Sequence, residues 1–245
     1  MSTPNIRTPE EYVEGWSESV IDHEKIGRMI AKHSPGGAVL DLGCGPMLPI
    51  WAQFHPKVTR LVGVDRLPAN IEFVEKVMDG GAFPSTFHTW RELATAINPN
   101  GPSESDIRTA FDAILDADVV EDRPSFHQQF DVITQIGCFA CLPTDGEIKV
   151  ALSHLADYMK PNGVFISVMW NAAPGFIEDP VWGGGERTSH GRKIDYENLK
   201  EFMEGFSLKL IEENIVSPCD EPERYQSFHI AAFKFTPARY RHFDR

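Results

Sequence analysis

The chain of 245 residues carries 36 acidic residues against 23 Lys and Arg, a formal charge of −13 at pH 7. That balance excludes sequence-blind nucleic-acid binding, which needs a basic surface to displace counterions. Hydrophobic residues at 42% and charged residues at 24% exclude a disordered or fibrous chain, and the length suits one α/β domain over residues 1–245.

Short apolar runs alternate with amphipathic stretches, the pattern of βαβ units that feed a parallel sheet. Residues 9–33 read as helical, with Ile21, Ile26, Met29 and Ile30 offering one apolar face. Pro35-Gly36-Gly37 breaks the chain before a strand at 38–42; a second strand at 61–65 leads to a helix at 71–78. Residues 79–112 add a helix near 89–97 and the turn Asn98-Pro-Asn-Gly-Pro102. Further strands are expected within 113–120 and at 130–135 and 164–170, with a helix at 145–159 that stops at the turn Lys160-Pro-Asn-Gly163. Residues 171–192, rich in Gly and Pro, read as a loop over the sheet's C-terminal edge on the substrate side. A helix at 196–206 and strands at 207–213 and 228–235 close the chain, the last two forming an antiparallel hairpin at the sheet edge. The expected fold is α/β, a doubly wound, seven-stranded, mostly parallel sheet with an antiparallel edge strand.

No stretch approaches the roughly 18–20 apolar residues of a membrane span. Residues 1–7 lack the basic and apolar regions of a secretory signal. Cysteines at 44, 138, 141 and 219 form no secreted scaffold, so a reduced, cytoplasmic protein is expected. Cys138-x-x-Cys141 lacks both the second pair of a zinc site and the helix start of a redox site. Beside Ile136, Phe139, Ala140 and Leu142 it reads as a pair of small buried residues, and no metal-ligand spacing occurs elsewhere.

The stretch that carries chemistry is Val39-Leu-Asp-Leu-Gly-Cys-Gly-Pro46. A strand running into Gly-x-Gly lets a ligand approach the backbone, because glycine has no Cβ in the way. Asp65 ends the next strand 24 residues after Asp41, where a carboxylate can accept hydrogen bonds from ribose hydroxyls. A dinucleotide site needs a third small residue where this chain has Leu48, and Pro46 and Pro49 disturb the helix start that would hold a pyrophosphate. A nicotinamide-dependent dehydrogenase is therefore the weaker reading, and no Tyr-x-x-x-Lys pair accompanies it near the fourth strand. Asp41-x-Gly43-x-Gly45 with an acid closing the second strand resembles the first two motifs of class I S-adenosylmethionine-dependent methyltransferases, over roughly residues 36–170. That resemblance implies a Rossmann-like sheet and S-adenosylmethionine as cofactor.

Within that superfamily the chain resembles the nicotinamide, phenylethanolamine and indolethylamine N-methyltransferases. Pro9-Glu-Glu-Tyr12 with Trp16 is similar to the group's N-terminal lid helix, which would place lid helices in residues 1–34. Gly43-Cys-Gly-Pro46 matches its first-strand turn, and Asp65 with Asn70 matches its ribose and carboxylate contacts. Asp118-Val119 resembles the pair that meets the adenine. The resemblance thus implies a cofactor site of Tyr12, Asp41, Gly43, Gly45, Pro46, Asp65, Arg66, Asn70, Asp118, Val119, Gln135 and Ile136, and an acceptor pocket walled by Trp16, Cys138 and Trp170. The chain departs from the group where Ser17 replaces a second tyrosine, Ala140 an acid, and Met169-Trp170 another carboxylate. Acids that could recognise a ligand instead include Glu178, Asp179 and Glu186.

The expected activity is methyl transfer to a small molecule, an amine before others, with no metal, nucleic-acid or membrane partner. An amine nitrogen attacks with its own lone pair, so positioning suffices and no catalytic base need be named. A small-molecule O-methyltransferase and a noncatalytic nucleoside-binding module are the alternatives. The oligomeric state is not legible.

Overall fold

The computed structural model describes residues 8–18, 23–172, 196–217 and 225–236. Among them, seven strands make one sheet: β1 (Gly37–Leu42), β2 (Val58–Asp65), β3 (Phe111–Asp116), β4 (Phe130–Ile136), β5 (Met159–Ala172), β6 (Leu208–Val216) and β7 (Tyr225–Phe235). Their spatial order is β3-β2-β1-β4-β5-β7-β6. The pairs β1–β2, β2–β3, β1–β4 and β4–β5 are parallel, whereas β7 runs antiparallel to both β5 and β6. The fold is the α/β, Rossmann-like sheet the sequence predicts, with its antiparallel hairpin at one edge.

Burial on both faces explains why β1 is apolar on each side apart from Asp41. Val39 joins the core under α1 (Pro9–Glu18), α2 (His23–His33), α3 (Leu48–Ala52), α4 (Pro68–Met78), α5 (Phe87–Ile97) and α6 (Glu104–Ala110). Ala38, Leu40 and Leu42 join the opposite core under α7 (Asp145–Tyr158) and α8 (Tyr196–Gly205). The alternation is the period of two along a strand. Because β2 and β3 lie to one side of β1 and β4 and β5 to the other, the crevice at the C-terminal ends of β1 and β4 is the switch point where such sheets take ligands.

Several local expectations change. The helical reading of 9–33 resolves into α1 and α2. The third strand starts at Phe111 and ends at Asp116 instead of running on toward Val120. Ala117 N–H donates to Asp65 O at 3.0 Å, and Val120 N–H donates to Asp118 Oδ1 at 3.2 Å, which turns the chain off the sheet. The helix α6 was not read from the sequence, although Ser103 and Asp106 form a capping box at its start. The Lys160–Gly163 turn lies inside β5 as a bulge: Met159 pairs with Phe130 and Val164 with Val132, while Asn162 takes φ 67°. Pro46 is the second residue of a 3-10 turn, Gly45–Met47, and Pro49 falls in the first turn of α3, so the helix start is divided in two. No helix among the described residues is long and apolar enough to cross a membrane.

Candidate cofactor and acceptor site

The turn after β1 takes a backbone that L residues rarely adopt, with φ of 60° at Gly43 and 54° at Gly45. The two glycines meet different surroundings. A Cβ on Gly43 would stand 2.3 Å from Cys138 Sγ, so the turn presses against the loop after β4. A Cβ on Gly45 would meet only Asn70 Nδ2, at 3.9 Å, so a ligand can approach this backbone from open space.

Asp65 holds the turn from the neighbouring strand end. Its Oδ2 accepts from Gly45 N–H at 2.8 Å, and its Oδ1 accepts from Leu67 N–H at 2.8 Å and Asn70 Nδ2 at 3.2 Å. A carboxylate accepts about four hydrogen bonds, so capacity remains for a ligand hydroxyl. Asp41, in mid-sheet between Gly63 and Thr134, is buried. Its Oδ1 accepts from Thr134 Oγ1 at 2.7 Å, while its Oδ2 has no partner. Burial, with help from the Asp65 charge and against the Thr134 hydrogen bond, raises the Asp41 pKa to about 7. Asp118 follows β3, with Oδ2 3.9 Å from Arg66 Nη1. Three acids and an open, Cβ-free cradle at one sheet edge suit a cationic nucleoside.

Residues 17–213 match the family model described as a methyltransferase domain. The chain belongs to the methyltransferase-domain family. Its cofactor is S-adenosylmethionine, and the cradle and acids just described fit that group. Solved structures share the methyltransferase fold at low identity. The N-methyltransferase NodS of Bradyrhizobium japonicum, in complex with S-adenosyl-L-homocysteine, is 14% identical with a TM-score of 0.56, over 94% of this chain and 100% of that one. An S-adenosylmethionine-dependent methyltransferase of Methanosarcina mazei is 12% identical with a TM-score of 0.55, over 82% and 93%. The [4+2]-cyclase SpnF is 13% identical with a TM-score of 0.58, over 88% and 81%. No curated protein matches the chain significantly in sequence. The family match reaches the methyltransferase domain as a whole and does not single out the nicotinamide, phenylethanolamine and indolethylamine group.

On the methyltransferase's β4 side, Gly137 takes φ 81°, and a Cβ there would fall 1.8 Å from Trp170 Cη2. The indole of Trp170 therefore lies directly on the Gly137 backbone, with Phe228 edge-on at 6.2 Å. Cys44, Cys138 and Cys141 are not in disulfides, and their thiols stand near the same acids. Burial pushes all three thiols up, Cys141 to about 12, and the Asp65 charge adds to the effect. They remain neutral thiols; Cys138 and Cys141 are half-buried, where the sequence reading had them buried.

The sequence-predicted residues divide by element. Pro46 is buried in the 3-10 turn, and Ile136 packs half-buried against the α1–α6 core. Gln135 is wholly buried: its Oε1 accepts from Phe139 N–H at 3.0 Å, and its Nε2 donates to Ser167 Oγ at 2.6 Å and Val168 O at 3.0 Å. Its amide thus ties the post-β4 loop to β5. Val119 packs against the α7–α8 core. Tyr12 is half-buried on α1, which contacts the Gly45–Met47 turn and α4. The side chains of Trp16 and Ser17, the loop residues Glu178, Asp179 and Glu186, and Cys219 lie outside the described residues. Sequence reasoning missed Thr134 as the partner of Asp41, because only the β1–β4 pairing reveals it.

Proposed function

We propose that this methyltransferase methylates the nitrogen of a small amine by in-line displacement, as one domain spanning residues 1–245. When bound, S-adenosylmethionine supplies a sulfonium-activated methyl group. In this reading Gly43, Gly45 and Pro46 shape the cradle, and Asp65 with Asn70 holds the ribose hydroxyls. Arg66, Asp118 and Val119 bound the adenine side, while Gln135 and Ile136 fix the floor from β4. Asp41 offers its open oxygen toward the cofactor's cationic end. The helices within residues 1–34, with Tyr12, close over the cradle and keep water from the displacement.

The observation that carries the choice of nitrogen is the wall formed by Trp170 across Gly137 beside the neutral Cys138 thiol. The Trp170 ring and the neutral Cys138 thiol offer the acceptor aromatic and apolar surface, and neither is itself a proton acceptor. A neutral amine arrives with its lone pair ready, whereas a phenol more often needs a base. Holding nitrogen, methyl and sulfur in line is then the protein's main contribution, a matter of orientation worth ~7–11 kcal/mol. The sequence resemblance to amine N-methyltransferases supports the same choice.

The test is a panel of amines, phenols and carboxylic acids at equal concentration with isotopically labelled cofactor, the products identified by mass and fragmentation. Label on nitrogen is expected. Label appearing on oxygen or carbon, and never on nitrogen, sinks the N-methylation reading and leaves the cofactor assignment intact.

A further inference from the structure

Three buried polar atoms without a hydrogen-bond partner belong to residues that neighbour one another on the α8 side of the sheet: Tyr196 Oη, Glu213 Oε1 and His229 Nδ1. The Tyr196 and His229 rings stand 4.4 Å apart between centroids. His229 Nδ1 lies 3.9 Å from Glu213 Oε1, too far for a direct hydrogen bond. The other polar atoms of Glu213 and His229 have partners. Lys200 Nζ donates to Glu213 Oε2 at 3.4 Å, and Ser227 Oγ and Asn171 Nδ2 sit 3.2 and 3.4 Å from His229 Nε2. Tyr196 is 5% exposed, and burial with the Glu213 charge pushes its phenol up, so it stays protonated and its oxygen keeps a lone pair.

The cluster stands at the functional edge of the sheet. Since β5 and β6 both oppose β7, the C-terminal ends of β5 and β6 and the start of β7 share an edge with Gly45, Asp65 and Gly137. Asn171 directly follows Trp170, the residue that lies on Gly137.

The geometry points to this cluster as the site that holds a primary ammonium group of the acceptor substrate, a proposal that rests on the amine reading above. A primary ammonium has three N–H donors, and a carboxylate oxygen, an imidazole lone pair and a phenol oxygen here await three. A nitrogen at ~2.9 Å from both Oε1 and Nδ1 is compatible with their separation. A bound cation selects the His229 tautomer that donates Nε2–H to Ser227 Oγ and leaves Nδ1 bare. The charge of −13 draws cations toward the protein in general, and Glu213 gives one of them an address. A nitrogen held as ammonium has no lone pair to attack with. The handle and the methylated nitrogen are therefore different atoms, and the substrate class is a small compound bearing a primary ammonium and a second, unprotonated nitrogen.

The test uses the full chain saturated with S-adenosylhomocysteine. Calorimetry compares N-phenylethylenediamine, which has both nitrogens, with N-(2-hydroxyethyl)aniline, in which a hydroxyl replaces the ammonium. The diamine is expected to bind at least tenfold more tightly. Glu213→Gln and Tyr196→Phe should each cut that preference at least fivefold, with the affinity for S-adenosylhomocysteine unchanged. Equal binding of the two compounds, no binding of the diamine, or an undiminished preference in both variants overturns the proposal. So does a crystal of the diamine-soaked complex in which one water bridges the three atoms. Transfer of label to oxygen in the product panel defeats the N-methylation reading whatever the calorimetry gives. N-methylated product formed equally well by the wild type and both variants defeats the ammonium site alone.

Discussion

Gly45 and Asp65 are joined across the ends of β1 and β2 by a hydrogen bond of 2.8 Å, from Gly45 N–H to Asp65 Oδ2. The same carboxylate accepts from Leu67 N–H just before α4 and from Asn70 Nδ2 within it, so one side chain ties the glycine turn to the helix that flanks it. The turn is thereby fixed before any ligand arrives, which lowers the entropy cost of binding.

Asp65→Ala should weaken binding of S-adenosylhomocysteine by about 2–3 kcal/mol, the range for hydrogen bonds to a charged partner plus some loss of turn order. Asp65→Asn, which keeps the shape but offers a single acceptor oxygen, should lie between. Titration calorimetry on the three proteins checks this. An unchanged dissociation constant for the alanine variant removes the ribose assignment.

The two glycines of the turn should respond differently to alanine. Gly43→Ala puts a methyl 2.3 Å from Cys138 Sγ and also 2.6 Å from Cys138 Cβ, at φ 60°. It should therefore lower Tm strongly, and Cys138→Ala should not rescue it, since the Cβ contact remains. Gly45→Ala carries the conformational penalty of about 1–2 kcal/mol but no clash. It should fold and yet lose cofactor affinity at least tenfold, because its methyl occupies the cradle. Melting curves and calorimetry on the four proteins separate the two roles. Equal losses of Tm at both positions contradict the distinction.

The cofactor half of this site was legible because its signals are local. Glycines at fixed spacing and an acid closing the next apolar run can be read without pairing strands. The acceptor half depends on register. Trp170 reaches Gly137 only because β5 lies beside β4, and Thr134 meets Asp41 only because β4 lies beside β1. Glu213 reads as one acid of Glu212-Glu213 on an edge strand. The bulge in the β6–β7 pairing between Leu210 and Glu212 helps set which way each points: Glu212 contacts Lys32 and His33 on α2, while Glu213 meets His229 and Lys200. The β3 boundary was misread because Ala117 and Val119 extend the apolar pattern past Asp116, although the Asp118 turn has already left the sheet.

Asp41 makes stability depend on pH in an unusual direction. Its folded pKa, raised to about 7 from 3.8, means that the folded state binds more protons than the unfolded state between these values. Its contribution is therefore fully present below about pH 4 and is lost as pH rises through 7, by at most about 4 kcal/mol. Asp41→Asn should lack this component. Urea denaturation at pH 5, 6, 7 and 8 should show the wild type losing stability with rising pH relative to the variant, and parallel curves count against a protonated Asp41. A bound cation favours the ionised carboxylate, so saturating S-adenosylmethionine should flatten the wild-type dependence.

Trp170 gives the sharpest test of the acceptor wall. Its indole covers Gly137, whose backbone belongs to the loop that bears Cys138, yet no cofactor contact is assigned to it. Trp170→Ala should leave the dissociation constant for S-adenosylhomocysteine within about twofold. It should raise KM for an aromatic amine more than tenfold, because the ring supplies contact area and aromatic stacking of about 0.5–1.5 kcal/mol beyond it. Trp170→Phe should recover part of that loss, since a smaller ring can still lie on a glycine. Gly137→Ala, which drives a methyl into the indole at φ 81°, should mimic Trp170→Ala in KM while also lowering Tm. Steady-state kinetics on any acceptor that the labelled panel yields, run beside cofactor titrations, checks all three. A rise in the cofactor's dissociation constant with no change in the acceptor's KM would move Trp170 from the acceptor wall to the cofactor site.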